Sequence, residues 1–176
     1  MVTMVTMPMA EPADEQLLLN LLNTTPVVDG HEQDELADFA LARQWLAANG
    51  QKATKQEWQG LLDVRTVLQA IVRGEQSPTA LAPFLDEVGY WPRATADGLD
   101  WDLRAPEGRV AAAKAVIAWD ALRVSSPGRL RACANTECQL FLIDRSKPNS
   151  AKWCSMAVCG NRMKARRHYY RAGETA

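Results

Sequence analysis

Four cysteines are the residues in this sequence whose type and spacing could together do chemistry. Cys133 and Cys138 are separated by four residues, Cys154 and Cys159 by four more, and the two pairs by fifteen. That pattern suits a zinc ion, because each short interval lets one tight loop present two sulfurs and zinc takes four thiolates in a tetrahedron. Four protein ligands leave no open position for water, so the Zn2+ is expected to be structural rather than catalytic. Clustering argues against scattered core thiols, and in a reducing compartment such a cluster is more often a metal site than two disulfides.

The elements that must position these sulfurs are readable around them. Leu130 precedes the first pair and the apolar run Leu140 to Ile143 follows it, which predicts a strand, a tight turn and a returning strand. The next turn is Ser146 to Ser150. Trp153 and Cys154 end an extended segment, and Ser155 can cap a helix that runs through Met156, Cys159, Met163 and Tyr170, four positions on one face. The positive end of that helix and the neighbouring arginines are expected to lower the thiols' pKa values. Strand, knuckle, hairpin and helix in this order describe a treble-clef-like finger.

On the same helix Arg162, Lys164, Arg166, Arg167 and Arg171 flank the apolar face, with Asn161, His168 and Tyr169 outside; Arg129, Arg131, Arg145, Lys147 and Lys152 lie close in sequence. Such a row fits phosphates, and Asn and Arg can also read base edges. A solvated basic face is the plainer alternative. The charge distribution favours nucleic acid: residues 1–128 hold ten Lys/Arg against 18 Asp/Glu, a net of -8, whereas residues 129–171 hold ten against two, a net of +8. An asymmetry of this size points to a polyanion for the basic part.

Upstream the pattern is mostly helical. Ala13 to Asn23 reads as a buried helix behind Pro12, or a buried strand. A loop marked by Pro26, Asp29 and Gly30 leads to a helical stripe of Leu36, Phe39, Ala40, Arg43, Leu46 and Ala47 that ends before Asn49-Gly50. Thr54 with Glu57 forms a capping box for a helix reaching Gly74, and Ser77-Pro78 opens another that turns Leu81, Phe84 and Leu85 inward. Tyr90, Trp91, Trp101 and Leu103 flank a turn at Ala96-Asp97-Gly98, as in a β-hairpin, and Arg109 to Val124 is helical again. Ser125 to Gly128 is the best domain boundary. The expected class is therefore α+β, mostly α: a flexible tail over 1–12, a helical domain with a small hairpin over 13–126, and the finger over 129–172.

No run approaches the roughly 18 apolar residues of a membrane span, and residues 1–12 lack both parts of a secretory signal, so a cytoplasmic protein is expected. An enzyme is not expected. His31 and His168 are the only histidines, and neither a phosphate loop nor a nucleophile elbow is present.

Cys159-Gly160-Asn161-Arg162, preceded by Trp153-Cys154-Ser155-Met156 and followed by Lys164-Ala165-Arg166-Arg167, resembles the CGNR zinc finger; Phe141, Asp144, Arg145 and Ser146 resemble that family's hairpin. The N-terminal part is similar to the ABATE domain, a stress-induced transcription regulator module, through Leu21-Leu22-Asn23-Thr24, the Trp45-Leu46 helix and the Arg65 helix. The resemblance implies a bacterial regulator whose finger binds DNA and whose N-terminal domain senses a small-molecule effector; on the leading reading the acidic N-terminal domain senses an effector or mediates homodimer formation. Asn23, Thr24 and Arg65 are then candidate effector contacts, although helix or turn capping explains Asn23 and Thr24 equally well. Two other classes stay open, a zinc-stabilised protein-interaction module and a thiol-based redox switch. On the leading reading, Cys138→Ser would unfold the finger and leave the N-terminal helices intact, and replacing Arg166 and Arg167 by Ala would weaken DNA binding without loss of zinc.

Overall fold

Four leucines explain why the other helices gather on the first. A computed structural model describes residues 11–166. Helix α1, Pro12–Leu22, starts with a proline that has no N–H to leave unsatisfied, and buries Leu17, Leu18, Leu21 and Leu22. The chain then makes a two-residue ladder, β1 (Val27–Val28) against β2 (His31–Glu32), where the sequence reads only as a loop. Its turn places Asp29 and Gly30 at φ of +51° and +80°, conformations suited to Asp-Gly.

Helix α2, Phe39–Ala48, begins where the Asp38 carboxylate accepts from the Leu41 N–H at 2.9 Å. Leu36, expected on its stripe, lies before it, fully buried, with its carbonyl accepting from Trp58 Nε1 at 2.9 Å. Helix α3, Lys55–Arg73, is capped by Thr54, whose Oγ1 accepts from the Glu57 N–H at 3.2 Å. Glu57 does not complete the capping box. Its carboxylate instead accepts from the Val110 and Ala111 N–H groups at 3.3 and 2.9 Å, satisfying the positive end of α5, Val110–Ser125. This contact needs glycine at its edge: a Cβ on Gly60 would lie 2.3 Å from the Gly108 carbonyl oxygen.

A 3-10 turn, Pro78–Leu81, and a short α4, Ala82–Leu85, come after α3. Leu81 is buried and Phe84 packs on the core, but Leu85 is 41% exposed and does not turn inward, because α4 ends there and the chain leaves for the hairpin. Strands β3 (Gly89–Thr95) and β4 (Gly98–Arg104) pair antiparallel with Thr95 opposite Gly98. Helix α5 buries five alanines, small enough to let it lie close against α1 and α3. Strands β5 (Leu130–Ala132) and β6 (Phe141–Ile143) form the third two-stranded ladder. Among the described residues no helix is long and apolar enough to cross a membrane.

The segment 125–128 reads as a boundary, yet the core crosses it. Phe141, 1% exposed, belongs to the same apolar cluster as Leu18, Leu22 and Leu68, and Leu130, Ala132 and Ile143 pack against it.

One polar cluster is built into the helical part. Both Nη atoms of Arg65, in α3, donate to the Asp34 carboxylate at 2.7 and 2.8 Å, and Nη1 also donates to Thr24 Oγ1 at 2.9 Å. Arg65 holds the Asp34 carboxyl below its ordinary range, against a partial desolvation that would raise it. A depressed folded-state pKa contributes stability that is complete above the unfolded value near 3.9 and is lost as pH falls through the folded value. Asp34→Asn, which leaves Arg65 without its counter-charge, is expected to lower unfolding free energy by about 1–3 kcal/mol at pH 7. The difference from the unsubstituted protein should shrink below about pH 4; thermal melts across pH 3 to 7 check it, and a pH-independent difference would refute it.

Candidate metal centre

Each sulfur owes its position to a local turn. The Cys133 N–H donates to the Leu140 carbonyl at 2.8 Å and the Cys138 N–H to the Asn135 carbonyl at 2.9 Å, which closes the first knuckle between β5 and β6. Ala134 N–H donates to the Lys152 carbonyl at 2.8 Å and brings the second cysteine segment alongside. Ser155 caps the C-terminal helix, its Oγ accepting from the Val158 N–H at 3.3 Å. That helix opens with a π-helical turn, Met156–Gly160, and continues over 161–166. The wide first turn leaves Met156 56% exposed while Cys159 is buried, so these two do not share the single face expected from an α-helical period. Met156 folds back over Gly160, where a Cβ would come within 2.9 Å of its sulfur.

The four Sγ atoms of Cys133, Cys138, Cys154 and Cys159 all lie within 4.8 Å of one another, and the cysteines are free. Cys138 to Cys154 and Cys154 to Cys159 are each 3.7 Å. A zinc–sulfur bond of about 2.3 Å places tetrahedral sulfurs roughly 3.8 Å apart, so donor set and spacing both fit zinc. The surrounding polar groups fit thiolates as well: Asn135 Nδ2 donates to Cys159 Sγ at 3.6 Å and the Cys154 N–H to Cys133 Sγ at 3.5 Å.

Without a cation the cluster resists ionisation. Burial pushes the Cys138 thiol up to about 11 and the Cys154 thiol up as well. Cys159 alone is drawn down: burial works against it, but the Asn135 donor and the other sulfurs outweigh that. The lowering at Cys159 comes from Asn135 and the other sulfurs and not from the helix end or the arginines to which the sequence points, and a bound divalent ion would supply the remaining charge.

Asn135 belongs to no motif legible in the sequence. It is fully buried, its Nδ2 serves Cys159 and its Oδ1 accepts from the Glu137 N–H at 3.3 Å. The only local sign is an Asn two residues past a cysteine, the setting of an Asx turn. Asp144 likewise stitches the finger, with a buried carboxylate accepting from the Ser146 and Ala151 N–H groups at 2.8 Å each and facing Arg131 at 3.5 Å.

The cationic candidates divide. Lys147, Lys152, Arg162 and Lys164 are exposed and make no ion pair among the described residues. Arg145 pairs with Glu15 of α1 at 2.7 Å, and Arg166 pairs with Glu137 of the first knuckle. Asn161, though exposed, donates to the Ala157 carbonyl at 3.2 Å. Arg129 donates to the Asp144 and Ser146 carbonyls at 2.7 Å each, which is structural use. Arg167, His168, Tyr169, Tyr170 and Arg171 lie outside the described residues, as do residues 1–10 of the expected tail.

Arg65 lines a cavity of about 580 Å³ beside Asp34 and Leu36, while the side chains of Asn23 and Thr24 are engaged within the fold. Asn23 clamps β6, accepting from the Phe141 N–H at 2.7 Å and donating to the Phe141 carbonyl at 3.3 Å. Thr24 is fully buried; its hydroxyl donates to the Leu21 carbonyl at 2.9 Å and accepts from Arg65. Arg73 extends the same contact, donating to the Gln139 carbonyl at 3.4 Å and standing 4.9 Å from the Phe141 ring centroid.

No curated protein matches the chain. A family model described as CGNR zinc finger matches residues 129–172, the part that holds the sulfur tetrad. A second, described as "Putative stress-induced transcription regulator", matches residues 15–126, and on that match, spanning most of its length, the chain belongs to the ABATE family.

Proposed function

We propose that this protein is a regulator that binds duplex DNA through the cationic surface of its zinc finger, the ion acting as a structural cross-link and not as a catalyst. The observation that carries this reading is the set of four exposed cations, Lys147, Lys152, Arg162 and Lys164, on a module of net +8 whose other described arginines, Arg129, Arg131, Arg145 and Arg166, have internal partners. Arg162 and Lys164 stand on the outward arc of the C-terminal helix, with Met163 turned in between them. Side chains so placed reach phosphates without giving up an internal partner, whereas Arg145 and Arg166 would first have to break one. Asn161 is held to the helix backbone, which favours backbone contacts over base reading at that position.

Fluorescence anisotropy of the zinc-loaded full chain on a duplex tests this. Log affinity should fall linearly with log salt, with a slope of about -0.9 per phosphate contacted and so roughly -3 to -4 for these four cations. No binding at about 50 mM salt, or a slope near zero, would remove DNA as the partner.

A further inference from the structure

The β3–β4 hairpin has two unlike faces. With a two-residue turn, the Ala94–Leu99, Pro92–Trp101 and Tyr90–Leu103 pairs fall at the non-hydrogen-bonded positions, and their six apolar side chains share one face. The opposite face is mostly polar: Arg93 bridges Asp100 at 2.8 Å and Asp102 at 3.4 Å, and its one large apolar side chain, Trp91, is 44% exposed with the Arg104 guanidinium 5.6 Å from its ring centroid. The apolar face has no such bridges. In β3 only Gly89 and Tyr90 are even half-buried, and Leu99 is 67% and Trp101 36% exposed. A two-stranded ribbon resting only at its base is marginal in water unless something covers its apolar side.

That face opens at its base onto a groove of about 1010 Å³ between α4 and α5, into which Tyr90 and Trp101 project. Leu85, 41% exposed, and Val124, 64% exposed, line it further out. The one ionised side chain in the lining, Asp120, is neutralised by Arg123 at 2.7 Å. An uncharged strip on a part of the chain carrying -8 restricts what can cover it. A charged partner would lose hydration there with no counter-charge to meet. A second copy meets the strip with the same uncharged surface, and the acidic groups of both copies stay at the rim.

Shape and size agree. Seven rungs at about 3.4 Å make the hairpin face roughly 24 Å long, more than a compact small molecule covers. With the groove it offers on the order of 500 Å² per copy, and so about 1,000 Å² in a pair, the lower bound of a specific interface. Pro92 sits where its nitrogen points to the outer edge of β3, so that edge lacks a donor at its middle, which disfavours extending the ladder there by a further strand.

From this we infer that the apolar face of the β3–β4 hairpin and its adjoining groove form a self-complementary interface with a second copy of this chain. A two-fold pair sets the Leu99 end of each hairpin against the groove of the other. If the DNA reading also holds, such a pair presents two fingers to a two-fold site.

Sedimentation velocity of the zinc-loaded full chain, without DNA and at about 300 mM salt to screen the charged rims, tests the pairing independently of DNA binding. Between about 2 and 200 µM the mass should move from the 19.5 kDa of one chain toward twice that. Leu99→Glu, at a position exposed enough to leave the fold intact by circular dichroism, should raise the dissociation constant at least tenfold. Arg93→Gln, on the polar face, should change it less than twofold. A monomer throughout the range would overturn the proposal and leave the groove to a small apolar ligand or another protein. A dimer of undiminished strength in Leu99→Glu would overturn it as well, by placing the contact elsewhere.

Discussion

Removal of the metal, by chelation or by Cys159→Ser, is expected to unfold the finger and also to lower the thermal midpoint of the helical domain by on the order of 10 °C. The first half rests on size. The finger alone has a small core, Cys138 and Cys154 are pushed up by burial, and metal binding in such modules supplies roughly 10–16 kcal/mol of apparent folding energy. The second half rests on Phe141. Its ring is 1% exposed within the cluster of Leu18, Leu22 and Leu68, so a finger that unfolds withdraws an aromatic side chain from the helical core. Emptying such a site costs about 3–5 kcal/mol, and each kcal/mol moves the midpoint of a chain this size by roughly 2–4 °C. The sequence alone suggests that helices and finger fail separately; the shared core couples them.

Asn23→Ala provides the control. It deletes the clamp on the Phe141 main chain and leaves the sulfurs untouched, so zinc should stay stoichiometric while the midpoint falls by a few degrees. Calorimetry with zinc measured in the same samples reads both quantities. A helical midpoint that stays within about 2 °C of the holo value once zinc is lost would refute the coupling.

Legibility in the sequence is a matter of range. Each cysteine pair, the caps at Thr54 and Ser155, and the hairpin at Ala96-Asp97 are local arrangements, and spacing within a few residues specifies them. Glu57 shows where local reading stops. Three residues after Thr54 it has the chemistry to cap its own helix, but the bare N-terminus of α5 offers the same N–H groups, and the carboxylate goes there. Asn23 and Thr24 look equally ready for a ligand or a cap, and only the fold shows Asn23 holding the Phe141 backbone. Leu85 has the residue type of a core position, but the short α4 leaves it outside. Asn135 is invisible for a related reason: its partner, Cys159, is 24 residues away.

The charge-bearing face can be located by setting free cations against engaged ones. Arg162→Ala with Lys164→Ala is expected to weaken duplex binding by about 10- to 100-fold near 100 mM salt and to reduce the salt slope by about two, since each lost phosphate contact removes close to one from it. Zinc content and the thermal midpoint should hold, because neither side chain has an ionic partner among the described residues. Arg166→Ala should behave differently. Its guanidinium already pairs with Glu137, so its loss loosens the link between the helix and the first knuckle and shows as a lower midpoint, while the salt slope changes by less than one. The sequence alone favours Arg166, with Arg167, as the face to disrupt; the pairing with Glu137 moves the larger expected effect to Arg162 and Lys164. Anisotropy titrations from about 50 to 300 mM salt separate the cases, because a misfolded finger loses affinity and zinc together. A double variant that keeps its zinc and its full slope would exclude the outward arc of this helix as the DNA contact.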